Sequence, residues 1–145
     1  MKNSYQKRDA VKNYFPLPNE LFCLGLSSGE ILVYTYLMYC EDRKTYQCHP
    51  SYKTIGKAVG MTRNTVRKYA QMLEERHLIA TEPTKVVTKS GVKRNGSLLY
   101  TVLPIDEAVR FHNEEQLRRL EAENAKARAK KALEEYDKAH PKEAP

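Results

Sequence analysis

The sequence lacks the features that mark membrane, secreted and disulfide-stabilised proteins. No apolar run in its 145 residues approaches the roughly 20 residues that cross a bilayer. The N-terminal segment is charged and has no apolar core of a secretion signal, so we expect a cytoplasmic protein with no membrane contact. The three cysteines are an odd number and form no CxxC pair. Reduced thiols are therefore expected, and a disulfide framework is not.

Catalytic and metal-binding patterns are also scarce. The chain has no Walker loop, no HExxH and no nucleophile with a matched base, and GKAVGMT has the wrong glycine spacing for a phosphate loop. Cys40, Cys48 and His49 lie near one another, but their spacing matches no common zinc site. We therefore predict that the protein is not an enzyme and that it uses no metal and no cofactor.

Positive charge is abundant, and it is unevenly distributed. The formal net charge is +7. Up to Pro104 there are 16 Lys and Arg against 8 Asp and Glu, whereas from Ile105 onward there are 9 against 10. A basic region followed by a nearly neutral one indicates a polyanionic partner for the first region.

Helix start and stop signals organise the first part of the chain. Residues 1–14 are polar and are predicted to be flexible. An apolar segment with two prolines follows, and we expect it to cover the core and to contain a short helix over Asn19 to Cys23. Ser27 and Glu30 have the spacing of a capping box, which predicts the start of a mostly buried helix. The segment RKTYQCHP after that helix is predicted to be a loop.

The segment from Ser51 to Ile79 has the organisation of a helix-turn-helix. Ser51 can cap a helix over Tyr52 to Val59, and Gly60 can end it in the left-handed conformation. Thr62 can cap the next helix, which runs from Arg63 to about His77. Gly56 is the small residue expected where the two helices cross.

The second helix of this segment has an apolar face and a basic, polar face. Val66, Ala70 and Leu73 recur at helical spacing and are expected to point inward. The residues on the other face that suit base edges in a major groove are Arg63, Asn64, Arg67, Lys68 and Gln71. The residues near helix starts that suit phosphates are Tyr52, Lys53, Lys57, Thr62 and Thr65. Exposed basic residues are usually only solvated, so the interpretation depends on their combination with the charge distribution and the hairpin that follows.

Two β-type runs come next, and a helical pattern completes the chain. LIATEPTKVVT and SLLYTVLP are joined by the turn-forming, basic segment KSGVKRNG, which predicts a hairpin, or wing. Its loop carries Lys89, Lys93, Arg94 and Asn95. From Ile105 to about Ala139 the composition predicts one long helix. Heptad positions counted from Leu117 do not stay apolar, so no sustained coiled coil is expected and the formation of a homodimer is left open.

The stretch from about Leu26 to Leu103 resembles the winged helix-turn-helix domains of bacterial replication initiators and of regulators on plasmids and other mobile elements. The segments LSSGEILVYTYL, PSYKTIGKAVGMTRNTVRKYAQMLEERHLI and GSLLYTVL carry the resemblance. It implies that the helix after Thr62 reads DNA and that the loop from Lys89 to Gly96 touches the DNA backbone or minor groove. Two residues depart from the family pattern: Gly56 stands where Ala is usual, and His77 stands where Gly precedes Leu-Ile.

The sequence thus predicts a mainly α fold with a small β-hairpin wing. Residues 15–104 would form a winged helix-turn-helix domain, and residues 105–145 a charged helix with a disordered end. The predicted function is sequence-specific binding of double-stranded DNA, as a transcriptional regulator or a replication-initiation accessory of a mobile element. The alternative is a winged-helix protein-interaction module that does not read DNA.

Overall fold

The computed structural model describes residues 12–141, so the predicted flexibility of residues 1–11 lies outside the described residues, as does the predicted disorder of residues 142–145. The helices, after a short 3-10 helix at Asn19–Cys23, are α1 (Ser28–Cys40), α2 (Tyr52–Val59), α3 (Arg63–Glu75) and α4 (Ile105–Ala139). The strands are β1 (Gln47–Cys48), β2 (Ile79–Glu82), β3 (Lys85–Val87), β4 (Lys93–Asn95) and β5 (Leu99–Val102). None of the helices within residues 12–141 is long and apolar enough to cross a membrane.

Side-chain caps fix the starts of the first three helices at the predicted residues. In α1, the backbone N–H of Glu30 donates to Ser27 Oγ, and the Glu30 carboxylate accepts from Ser27. The backbone N–H of Thr54 donates to Ser51 Oγ over 3.1 Å at the start of α2. Thr62 caps α3 in the same way. These caps satisfy backbone donors that the first turn of a helix leaves without a partner.

The end of α3 shows how His77 takes the place of the expected glycine. His77 has a φ of +61°. Its backbone N–H donates to the carbonyl of Glu74 over 3.1 Å, and that of Leu78 donates to the carbonyl of Leu73 over 3.0 Å. This is the paired hydrogen-bond pattern that closes a helix through one left-handed residue. The departure from the family pattern therefore leaves the exit turn intact.

The sheet corrects the prediction that the whole segment RKTYQCHP is a loop. The three-stranded antiparallel sheet has the order β1-β5-β2, and β1 lies within that segment. Gln47 pairs with Thr101 and Cys48 with Tyr100. The paired residues lie more than 50 positions apart in the chain. The segment forms a two-residue strand because β5 is its partner, which its own loop-like sequence does not indicate.

The wing extends further than predicted. The strands β3 and β4 form a separate antiparallel pair, with Lys85 opposite Asn95 and Val87 opposite Lys93. Lys93, Arg94 and Asn95, which were expected in the hairpin loop, therefore lie on a strand. Of the predicted wing contacts only Lys89 remains in the connecting turn. Cross-strand hydrogen bonds hold these three residues in an extended arm, which the turn-forming sequence around them did not indicate.

The core lies where α1, α2 and α3 pack together above the sheet. Val33, Ile55 and Val66, one from each of the three helices, are fully buried. Close approach occurs at two glycines: a Cβ at Gly29 would lie 2.3 Å from the ring of Tyr69, and a Cβ at Gly56 would lie 2.3 Å from the carbonyl oxygen of Met61. Gly56, unlike the usual Ala, thus lets the turn between α2 and α3 fold back onto α2.

One ion pair is built into this core. Glu30 on α1 is 1% exposed, and its Oε2 lies 2.8 Å from Nε of Arg76, the residue that follows α3. Nη1 of Arg76 also donates to the carbonyl of Leu24. Because an unpaired buried carboxylate is costly, Arg76 ties the end of α3 to the start of α1.

The long helix α4 has the predicted bounds and joins the domain only through its first turns. Ala108 is buried, and Ile105 and Val109 pack against the core. The rings of Phe111 and His77 have centroids 4.6 Å apart. All residues from 116 to 139 are exposed, including Leu117 and Leu120. The fold is therefore mainly α with a β-hairpin wing and a long C-terminal helix, as predicted.

Candidate nucleic-acid interface

The starts of α2 and α3 meet the base of the wing at a cleft of about 540 Å³. Tyr52 and Lys53 from α2 and Arg63 and Arg67 from α3 line it. The wing contributes Asn95 together with the residues that follow it. Five of the residues that the sequence assigned to DNA contact, on three different elements, are thus brought to one concave surface.

The remaining predicted base-reading residues lie on the outward surface of α3. Asn64, Lys68 and Gln71 are exposed, while Val66, Ala70 and Leu73 of the same helix are buried, as predicted. Nζ of Lys68 lies 5.9 Å from the ring centroid of Tyr69. Together with Arg63 and Arg67, these side chains give about the first two and a half turns of α3 a polar face.

Within the described part of the chain, no ion pair with an acidic side chain neutralises the charge of this surface. The ion pairs within residues 12–141 are Arg43–Glu41, Arg76–Glu30 and Arg118–Glu115. None of them involves a basic residue of α2, of the polar face of α3, or of the wing. Cations that fold next to one another without anionic partners raise the local positive potential, which favours a polyanion.

The hydroxyl groups at the helix starts are already engaged. Thr62 Oγ1 lies 2.9 Å from Thr65 Oγ1 and accepts the backbone N–H of Thr65. Both threonines were predicted to contact phosphates. In this arrangement their first role is to fix the start of α3. Lys57, the other predicted phosphate contact outside the cleft, is exposed on the last turn of α2.

Acidic residues on α3 are kept at its far end. Glu74 Oε1 accepts from the hydroxyl of Thr81 over 2.9 Å and from its backbone N–H over 3.3 Å. Glu74 therefore links α3 to β2 instead of facing the cleft. Glu75 lines a different cavity, between α3 and α4.

Sequence reasoning did not find the floor of the cleft. Leu98 and Tyr100 line it beside the predicted residues, and Tyr100 is 1% exposed. Burial raises the pKa of Tyr100, and the neighbouring Tyr52 acts in the same direction, so its phenol stays neutral. The one feature of the sequence that could have indicated Leu98 and Tyr100 was the β-type run SLLYTVLP, because alternate residues of a strand face the same side.

Three helices, of which α2 and α3 form a helix-turn-helix, followed by a β-hairpin arm define a winged helix. Residues 24–79 match the family model described as "Helix-turn-helix domain". No protein of curated function matches the sequence.

Several solved structures are similar to this chain at low identity. A protein described as a "possible transcriptional regulator" from Methanosarcina mazei Go1 is 15% identical, with 72% of this chain and 82% of that chain covered and a TM-score of 0.47. A MarR-family transcriptional regulator from Silicibacter pomeroyi is 14% identical, with 86% and 80% covered and a TM-score of 0.40. The YusO protein from Bacillus subtilis is 15% identical, with 83% and 80% covered and a TM-score of 0.37.

At these identities and TM-scores the likeness carries no information on function. None of the descriptions mentions a replication initiator, a plasmid or a mobile element. The resemblance to replication initiators and to regulators on mobile elements therefore stays a prediction. The individual DNA-contact residues also stay predictions.

Proposed function

We propose that this protein is a sequence-specific DNA-binding protein that acts as a transcriptional regulator. The observation that supports this best is the cleft at which Lys53, Arg63 and Arg67 converge with the wing and have no acidic partner among residues 12–141. In the proposal α3 enters a major groove, and the wing lies along the neighbouring backbone.

The residues divide between two roles in this proposal. Asn64, Arg67 and Gln71 have the amide and guanidinium groups that form paired hydrogen bonds with adenine or guanine edges. Tyr52 and Lys53, which line the cleft from α2, suit phosphate oxygens. Arg63 lines the cleft and is exposed at the start of α3, where either contact is within its reach.

Selection from a random duplex library tests the base-reading role. Arg67→Ala and Asn64→Ala are each expected to weaken binding to the selected site by about 1–3 kcal/mol and to relax the preference at one position. Arg128→Ala, which removes the same side chain from an exposed position on α4, is the matched control and should bind like the parent. The assignment of α3 is wrong if both α3 variants select and bind like the control.

The wing is tested by the salt dependence of binding. Lys93→Ala should weaken all duplexes to a similar extent, because a phosphate contact carries no sequence information. It should also reduce the slope of log affinity against log salt by roughly 0.9. Lys126→Ala on the exposed part of α4 is the control, and an identical slope for the two variants would exclude Lys93 from the interface.

A protein-interaction module remains the competing hypothesis. It predicts that the chain captures a protein partner and that nuclease treatment leaves this capture unchanged, with no retained duplex in the library experiment. A homodimer would instead be revealed by a palindromic selected site, since paired domains read paired half-sites.

A further inference from the structure

The wing is a two-stranded ribbon whose two faces carry different side chains. Its strands β3 and β4 are antiparallel and pair residue by residue. Side chains alternate between the two sides along a strand, and directly paired residues share a side. The residues therefore divide into two sets, which we call the inner and the outer face. The inner face carries Lys85, Val87, Lys93 and Asn95, and the outer face carries Val86 and Arg94.

Two observations place the inner face on the side of the proposed DNA surface. Of the residues of β3 and β4, Asn95 lines the cleft that α2, α3 and the wing form. On the strand that leads into β3, the hydroxyl of Thr81 donates to Glu74 of α3 over 2.9 Å. Lys85 and Val87 follow Thr81 at even spacing, so they are expected on the side of the strand that faces α3.

The connection between the sheet and the wing preserves this alternation. Two residues separate β2 from β3, whereas three separate β4 from β5. The extra residue therefore lies on the returning strand, as in a β-bulge, and the strand that contains β2 and β3 keeps its order of sides.

Hydrogen bonds at both ends hold the ribbon in this orientation. At the tip, the backbone N–H of Thr88 donates to the carbonyl of Val92 over 2.9 Å. At the base, the backbone N–H of Gly96 donates to the carbonyl of Thr84 over 2.8 Å. A Cβ at Gly96 would lie 2.8 Å from Cγ2 of Val86. Val86 thus packs over the glycine that follows Asn95, in agreement with its place on the outer face.

The inner face combines two cations with one exposed apolar side chain. Lys85 and Lys93 are diagonal neighbours across the two strands, which places their backbones about 7–8 Å apart. Neither forms an ion pair within residues 12–141. Val87 is paired with Lys93 and is 62% exposed. A DNA strand offers phosphates to the cations and the carbon atoms of deoxyribose to the valine.

We propose that the wing binds DNA through its inner face, with Lys85 and Lys93 on phosphates and Val87 against deoxyribose. The sequence pattern indicates Arg94 as a contact and neither Lys85 nor Val87, and the register of the ribbon reverses that assignment. This inference rests on the proposed DNA binding and adds to it the side from which the wing meets the duplex.

Removing one charge from each face of the ribbon tests the proposal. Fluorescence anisotropy of the full-length protein is measured at several salt concentrations, with the best duplex from the library and with a duplex of mixed sequence. Lys85→Ala should weaken binding to both about fivefold at about 0.15 M salt and reduce the slope of log affinity against log salt by roughly 0.9. Arg94→Ala, the matched control on the outer face, should stay within about twofold of the parent, because salt screens a charge that makes no contact.

The possible outcomes separate this inference from the proposed function. Equal losses for the two variants, or a larger loss for Arg94→Ala, would overturn the assignment of the inner face and leave DNA binding itself intact. A parent protein that binds neither duplex would overturn the proposed function, and this inference with it.

A second pair of variants tests the apolar contact. Val87→Glu brings a carboxylate against the phosphates and should weaken binding about tenfold or more, since like charges brought together are strongly unfavourable. Val86→Glu adds the same charge to the outer face and should weaken binding by about twofold at most. Equal weakening by the two carboxylates would contradict the proposal. Should either carboxylate disturb the ribbon, the comparison of Lys85→Ala with Arg94→Ala still decides, because both of those side chains are exposed.

Discussion

The helices α3 and α4 both present many basic side chains to solvent, but they do so in different surroundings. From Arg63 to Leu73 the sequence of α3 contains no acidic residue, and its cations gather at a cleft. On α4 basic and acidic residues alternate, as in the ion pair of Arg118 with Glu115 one turn earlier. The comparison teaches that separation of charge, and not the number of cations, distinguishes a candidate recognition helix from a solvated one.

The same two helices also differ in what holds them in place. α3 buries Val66, Ala70 and Leu73 against the other helices, and its end is tied down by Arg76. α4 is almost three times as long, yet Ala108 is the one residue of it that is fully buried. We therefore expect the stability of the domain to respond strongly to changes at α3 and weakly to changes along most of α4.

The largest expected effect comes from removing the ion pair at the end of α3. Arg76→Met leaves the Glu30 carboxylate buried without its partner and should lower the free energy of unfolding by about 3 kcal/mol. Urea denaturation followed by circular dichroism measures it. Arg110→Met, an exposed position of α4, is the control and should change stability by less than about 0.5 kcal/mol. Similar values for the two variants would show that the buried pair does not stabilise α3.

An intermediate effect is expected at the turn that ends α3. His77→Val should destabilise the protein by about 1–2 kcal/mol relative to His77→Asn, because a β-branched residue is strained at positive φ and asparagine is not. Both variants lose the ring contact with Phe111, so the difference in their melting temperatures reports the backbone alone. Equal melting temperatures would contradict the left-handed conformation of this residue.

The smallest effect is expected when the exposed part of α4 is removed. A chain that ends after Leu120 keeps the turns that pack on the domain and should lose less than about 0.5 kcal/mol of unfolding free energy. Thermal unfolding at two protein concentrations gives the measurement. A loss above about 1 kcal/mol that grows with protein concentration would instead indicate that α4 joins two copies of the chain.

Local signals in the sequence were sufficient for the helices. Ser27, Ser51 and Thr62 act within three residues of themselves, and their caps are visible in the sequence as spacing alone. The ends of α4 follow from composition in the same way. The polar face of α3 could also be predicted, because the period of its buried residues is local.

Contacts between distant parts of the chain could not be predicted from those signals. The strand β1 exists because Gln47 and Cys48 meet β5, and Gly29 is explained only by the ring of Tyr69. The cleft beside α3 likewise depends on how the wing folds back, so its floor at Leu98 and Tyr100 went unrecognised. Periodicity indicates which face of an element is buried, but not which element covers it.

Because β5 connects almost directly to α4, a small rotation at the end of the sheet would move the far end of the long helix by a large distance. Only Leu103 and Pro104 separate the last strand of the sheet from the first residue of α4. At 1.5 Å per residue, its 35 residues span about 52 Å. A rotation of about 10° at this junction would therefore move the far end of α4 by roughly 9 Å, by the same helix geometry. A small tilt of the strand that borders the wing would thus become a displacement nearly as large as the diameter of a helix, which is about 10 Å.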